Sequence, residues 1–394
     1  MADAWSFYSA GELTFGVGAS QQVGKLSARR GWSRVLIVTD PTLVRLGLVD
    51  KVRRPLVEAG ATVEVFDGSC AEPDLSVAID AGAAAKKFAP DAICGVGGGS
   101  NIDLAKIVAI LHAHGGVPAD YFSWDNVPGP VTPLIALPTT AGTGSEVSQS
   151  AVLTDSANAM KVSTLSQYLR PTVAIVDPLL SSTCPPQVTA DSGIDALTHA
   201  VEAYTSTTFD MLEQDGDGPA PYSGSHLLVD ALAEKAIELV GKHLVQAVRQ
   251  GDDLEARTGM ALAATLAGLA FSNAGVAVVH ALEYPIGGAV HCSHGGGNGL
   301  LLPYVMRFNL PERQEKFAKI AQLLGGDATA EGAIAQVERL KKAIGIPERL
   351  REYGVTPEML PGFAAKSITI TRLMRTNPRR PSEQDLLQIL ESAL

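Results

Sequence analysis

The feature that most limits what this chain can fold into is an alternation that runs through its first half and then stops. RVLIVTD (34–40), TVEVFDG (62–68), AICGVGG (92–98), LIALPTT (134–140) and TVAIVDP (172–178) are short β-branched runs, each ending in turn-forming or polar residues. Helix-like segments lie between several of them: DKVRRPLVEAGA (50–61), LSVAIDAGAAAKKF (75–88) and NIDLAKIVAILHA (101–113). Strands that are apolar almost throughout, separated by amphipathic helices, predict a parallel sheet covered on both faces. Beyond residue 185 the strand pattern gives way to helical apolar spacing over 227–250, 312–325, 330–345 and 383–394. The expectation is an α/β domain over 1–185, with ligands at the carboxyl ends of its strands, and an all-helical domain over 186–394. The acidic, Gly- and Pro-rich stretch 213–224 reads as a surface loop.

Composition removes several classes of function. With 394 residues, 46% hydrophobic and 19% charged, the chain can bury substantial cores and is no disordered segment. A net charge of -11 argues against a nucleic-acid surface, because phosphate contacts need clustered Lys and Arg. Cys70, Cys94, Cys184 and Cys292 form no CxxC pair and read as reduced thiols, which predicts a cytoplasmic protein. The start, MADAWSFYSAGELTF, lacks the basic-then-apolar pattern of a signal peptide. Residues 259–282 are long enough to span a membrane, but they are built from Ala and Gly and interrupted by Ser272, Asn273 and His280. They read as two closely packed buried helices, and no membrane partner is expected.

Two loops carry phosphate-binding chemistry. GVGGGSNIDLAK (95–106) follows a strand and opens a helix, so Gly97, Gly98, Gly99 and Ser100 either meet a pyrophosphate with free N–H groups or make a plain turn. PTTAGTGSEVSQSAV (138–152) also follows a strand and supplies Thr139, Thr140, Thr143 and Ser145 beside Gly142 and Gly144. Asp40 closes the first apolar strand, where a carboxylate either accepts hydrogen bonds from an adenosine ribose or caps the following turn. The ribose reading favours NAD over NADP, because a carboxylate repels a 2′-phosphate. Lys161 either pairs with the cofactor or lies on the surface.

HALEYPIGGAVHCSH (280–294) gathers three of the eight histidines. His280, in so apolar a setting either a satisfied core histidine or a ligand, is expected near the end of an apolar helix stopped by Pro285, with a Gly-Gly turn folding the chain so that His294 returns toward it. Asp195 and His199, four apart in DSGIDALTHAVEAY (191–204), share one helix face and either join one ion or bond to each other. Asp195, His199, His280 and His294 together make an N₃O set without thiolates, suited to Fe²⁺ or Zn²⁺. His291 is a ligand, a pocket residue or a solvent-facing one; His112, His114, His226 and His243 receive no role.

Taken together, GGGSNIDLAK (97–106), ALPTTAGTGSEV (136–147), DSGIDALTHAVEAY (191–204) and VVHALEYPIGGAVHCSHGGGNGLLLPYVM (278–306) resemble the iron-containing (group III) alcohol dehydrogenase family. The resemblance runs from about residue 8 to the C-terminus. It implies a dinucleotide-binding α/β domain and a helical domain on the plan shared with dehydroquinate synthase, NAD(P), a divalent metal in a cleft, and a homodimer. Carried residue by residue, it places the ligands on Asp195, His199, His280 and His294. The nucleotide positions fall on Asp40, Gly97, Gly98, Gly99, Ser100, Thr139, Thr140, Lys161 and, near TCPP, Thr183. One departure stands out: where many members carry a histidine that helps relay a proton, this chain has Tyr284, a poor proton acceptor near neutral pH. The proton path then runs through water or His291.

The implied reaction is reversible hydride transfer between a metal-bound alcohol and the nicotinamide, with a small alcohol or aldehyde as substrate. The alternatives are a hydroxyacid dehydrogenase or hydroxyacid–oxoacid transhydrogenase, a maleylacetate reductase, a dehydroquinate synthase-type lyase and a non-enzymatic binding protein. Maleylacetate reductases lack the full ligand set, and the lyase needs basic residues that these motifs lack.

Overall fold

A computed structural model describes residues 4–158, 160–213 and 220–394; residues 214–219 of the stretch read as a surface loop lie outside the described residues. The chain forms two compact units. One holds residues 9–140 and 145–183, the other the segment ending at Tyr8, residues 141–144 and residues 184–394.

The first unit is built on six strands, β1 (Glu12–Phe15), β2 (Arg34–Val38), β3 (Thr62–Phe66), β4 (Ala92–Gly97), β6 (Leu134–Pro138) and β9 (Val173–Val176), in the order β1-β9-β6-β4-β2-β3. Every pairing among them is parallel. The period of two along β2 sends Val35 and Ile37 to one face and Leu36 and Val38 to the other. On the first face Val35 and Ile37 pack with Val49, Val52 and Leu56 from helix α3 (Leu48–Glu58), which follows α1 (Val23–Arg29) and α2 (Pro41–Arg45). On the second, Leu36 and Val38 meet Ala81 and Ala85 of α4 (Leu75–Phe88) and Leu104 and Ile107 of α5 (Gly99–His114).

The strand order reverses between β2 and β4, and that reversal opens a crevice at their carboxyl ends. Asp40 follows β2, and Gly97 ends β4, so both stand at this point. The sequence reading missed a smaller sheet, in which β5 (Ser123–Trp124) runs parallel to β8 (Met160–Leu165), itself antiparallel to β7 (Ser150–Asp155).

The second unit is helical, with α6 (Pro186–Thr205), α7 (Leu227–Arg249), α8 (Leu254–Ala274), α9 (Val278–Val290), α10 (His294–Asn309), α11 (Gln314–Leu323), α12 (Ala330–Ile344), α13 (Leu360–Ile368), α14 (Thr371–Thr376) and α15 (Glu383–Ala393). The stretch that matched a membrane span in length is divided between α8 and α9, which meet at 104° and are largely buried. Among the described residues no single helix is long and apolar enough to cross a membrane. Two expectations about 280–294 are corrected. His280 lies in the first turn of α9, not near its end, and Pro285 and the Gly287–Gly288 pair lie inside that helix. A proline removes one backbone bond, but burial of Val278 to Glu283 and of Ile286 and Gly287 outweighs that loss. The chain turns instead at His291, whose φ of 54° is left-handed.

Lys106 of α5 is fully buried, an expensive place for an ammonium. It donates to Ser145 Oγ (2.9 Å), Ser148 Oγ (3.0 Å) and the Ser150 carbonyl (2.7 Å), with the Asp103 carboxylate 3.7 Å away. Burial pushes the ammonium down to about 8 against the pull of Asp103 and Glu146. Removing it strands the Asp103 charge, so Lys106→Met is expected to lower stability by about 3 kcal/mol or more, read from urea unfolding.

Candidate metal centre and nucleotide loops

Helix α6 places Asp195, His199 and Glu202 at i, i+4 and i+7, one above the other on a single buried face. His280 arrives from the start of α9 and His294 from the first position of α10. One ligand atom from each of Asp195, His280 and His294 lies within 4.8 Å of the others. His199 stands beside them: its Nδ1 is 3.8 Å from Asp195 Oδ2, and its ring stacks on His280 (4.7 Å between centroids) and on Phe271 (4.2 Å). The four side chains therefore come to one place.

Carboxylates behind the rings decide which nitrogen faces inward. Glu202 accepts from His280 Nδ1 at 2.6 Å, and Glu283 accepts from His294 Nδ1. Asn298 Nδ2 donates to Asp195 Oδ1 at 2.9 Å and lies 3.2 Å from His294 Nε2. His199 is hydrogen-bonded to the Gly142 backbone. What remains are two deeply buried nitrogens, His199 Nδ1 and His280 Nε2, without a protein partner. Lone buried polar atoms are costly, and a cation among them resolves the cost, so the donor set fits a divalent ion.

Burial pushes His199 down to about 3 despite the Asp195 charge, which leaves the ring neutral near pH 7 with a lone pair to offer. Burial opposes the Asp195 charge, but the three imidazoles and Asn298 outweigh it and hold the carboxyl below its ordinary value. Glu202 and Glu283 were missed from sequence, although their positions signalled them: one lies seven residues after Asp195 on the same face, the other three after His280.

In the sheet unit Gly97, Gly98, Gly99 and Ser100 form the turn from β4 into α5, with Gly98 at the N-cap and Gly97 at φ 148°. A Cβ on Gly97 would fall 2.0 Å from Asn101 Nδ2, so only glycine fits. Thr139 donates its N–H to the Gly97 carbonyl at 2.9 Å, and the Thr140 side chain lies against Gly98. The capping reading of Asp40 is the one its hydrogen bonds show. Oδ1 caps α2 through Thr42 and Leu43, while Oδ2 accepts from Asn101 of α5 at 2.8 Å. Lys161 is not a surface lysine; it is buried and paired with Glu72 at 2.8 Å, and Glu72 N–H donates to Ser100 Oγ.

The second loop is less uniform than its sequence suggests. Ser145 is spent on Lys106 and Asp103 rather than free for phosphate, and residues 141–144 group with the helical unit. There Gly142 packs on Ser192, and Gly144, at φ 61°, packs on Gly268. Thr183 is exposed, seven residues past β9. Tyr284 is half-buried, its ring 6.1 Å from that of His294, and His291 is exposed. Three of the remaining histidines have structural work: His112 bonds Thr132, His114 bonds the Gly129 carbonyl, and His226 caps α7 under the stacked Trp5 ring.

Profiles described as "Iron-containing alcohol dehydrogenase" and "Fe-containing alcohol dehydrogenase family, C-terminal" match residues 10–178 and 222–394. The chain is 40% identical to long-chain-alcohol dehydrogenase 1 of Geobacillus thermodenitrificans, over 96% of this chain and 94% of that one. It is 37% identical to the NAD-dependent methanol dehydrogenase of Bacillus methanolicus, over 99% and 100%. Its fold matches the crystal structure of a 1,3-propanediol oxidoreductase with a TM-score of 0.92 and 37% identity, over 99% and 100% of the two chains.

If the two glutamates set the imidazoles, removing their charge should loosen whatever the rings hold. Glu202→Gln and Glu283→Gln are each expected to weaken divalent-ion affinity by about 10–100-fold in a competition titration against a chelator.

Proposed function

Because the chain belongs to the iron-containing alcohol dehydrogenase family, we propose that Asp195, His199, His280 and His294 hold a divalent ion, iron(II) in preference to zinc, and that the β4–α5 turn binds NAD. The enzyme is a metal-dependent, nicotinamide-linked alcohol dehydrogenase that works in reverse as an aldehyde reductase. The observation that carries the ligand assignment is the pair of buried, unpartnered nitrogens on His199 and His280 beside the Asp195 carboxylate.

An ion in this set supplies Lewis-acid stabilisation of negative charge developing on the substrate oxygen. The protein does the rest. Glu202 and Glu283 keep the Nδ1 protons of His280 and His294 outward, and Asn298 turns Asp195 inward. His199, His280 and Asp195 are shut from water, whereas the His294 side chain keeps 31% of its surface and marks the approachable side. Tyr284, next to His294, donates a hydrogen bond to the substrate side but does not take up its proton at neutral pH, so that proton leaves through water or the exposed His291.

For the nucleotide, the amides at the start of α5 and the hydroxyls of Ser100, Thr139 and Thr140 receive the pyrophosphate. Lys161 adds positive charge, Thr183 a further hydroxyl, and Asp40 takes the ribose and disfavours a 2′-phosphate. The substrate is a small alcohol or aldehyde, in keeping with relatives named for long-chain alcohols, methanol and propanediol. No disulfide joins the four cysteines, which supports a cytoplasmic setting, and the family resemblance supports a homodimer.

Assays of iron- and zinc-reconstituted protein against alcohols, aldehydes and hydroxyacids are expected to show nicotinamide turnover with the first two. Asp195→Ala is expected to lose the ion and at least about 100-fold in kcat/KM; unchanged metal content with unchanged alcohol oxidation defeats the assignment. Asp40→Gly is expected to shift the kcat/KM ratio about tenfold toward NADP, measured with both cofactors on the same alcohol.

A further inference from the structure

His294 is the exception among the four converging side chains. It retains 31% side-chain exposure, where His199, His280 and Asp195 retain 6%, 2% and 2%. It also opens a helix, directly after three residues that belong to none. Some contact must fix that helix start, and the structure shows which.

Ser293 is the N-cap of α10, its hydroxyl accepting the Gly296 N–H at 3.2 Å. The same hydroxyl donates to Asp191 Oδ2 at 2.7 Å. Asp191 belongs to α6, four residues before Asp195, and its Oδ1 accepts from Gln187 Nε2 at 2.8 Å. Gln187, Asp191 and Asp195 thus follow one another along one face of α6. The helices meet at backbone distance here, since a Cβ on Gly295 would fall 2.1 Å from the Asp191 carbonyl oxygen.

We infer that Asp191 and Ser293 are positioning residues that pin the first turn of α10 to α6, so that His294 closes the ligand set around the metal and slows its release. The Ser293 hydroxyl uses its donor on one helix and its acceptor on the other. Its geometry is therefore shared by the helix that carries Asp195 and the helix that carries His294. Without that bond α10 keeps its length, but the backbone at His294 loses its tie to α6, and the hydrogen bond to Glu283 is left to position the ring. Asp195, His199 and His280 remain anchored by Asn298, Gly142 and Glu202. The inference rests on the metal assignment made above.

The test uses full-length protein loaded with cobalt(II), whose visible absorption reports coordination, and follows its loss to a chelator. Ser293→Gly retains a tolerated cap residue while removing the hydroxyl, so it keeps the helix start. Ser293→Gly and Asp191→Ala are each expected to release cobalt at least tenfold faster and to change its spectrum. The double variant should be no faster than either single one, and Ser293→Thr should restore slow release. The melting temperature of the metal-free protein should move little, because a merely structural role would appear there instead. Release within twofold of the parent in both single variants overturns the inference while the metal assignment stands. If the parent takes up no cobalt, or Asp195→Ala takes up as much, the metal assignment itself fails and this inference with it.

Discussion

A single buried carboxylate fixes much of the helical unit. Glu202 accepts the backbone N–H groups of Ala277 (2.9 Å) and Val279 (2.7 Å) and the Nδ1 of His280 (2.6 Å). An ionised carboxylate removed from water costs several kcal/mol unless donors surround it, and here three donors do so. Two of them are the free amides that a helix start always presents, so the charge caps α9 and orients its histidine together. The corner between α8 and α9 is thereby tied to α6. The ligand set can then be assembled from segments about eighty residues apart in sequence.

Much of this was legible beforehand because the signals were local and periodic. The core strands of the parallel sheet appear as unbroken apolar runs, and α4 occupies residues 75–88 as its spacing requires. Asp195 and His199 are readable because four residues return the chain to the same helix face. The hairpin of β7 and β8 was not legible, since SAVLTD and MKVSTL mix hydroxyls and charges with few apolar residues. The course of α9 was misread because Pro285 and two glycines are local breakers, while their tolerance is decided by burial, a tertiary property.

Glycine explains the other gaps. The AGTG of the second loop reads as phosphate-binding, but Gly142 and Gly144, like Gly295 and Gly299 after His294, lie where a side chain would strike a neighbouring helix. Close approach of two backbones depends on a partner far away in sequence, so no spacing within one motif can announce it. Ser145 follows the same logic. Its hydroxyl looks available in the sequence and is consumed by a buried lysine thirty-nine residues earlier.

The helical unit is discontinuous along the chain, and this limits how far the molecule can be divided. Tyr8 exchanges two hydrogen bonds with Asn273, and Gly142 holds His199, yet both partners precede the point at which the helices begin. A fragment starting at residue 184 would carry all four converging side chains and still lack the backbone that steadies one of them. Transplanting this half between proteins as a module would therefore leave those contacts behind.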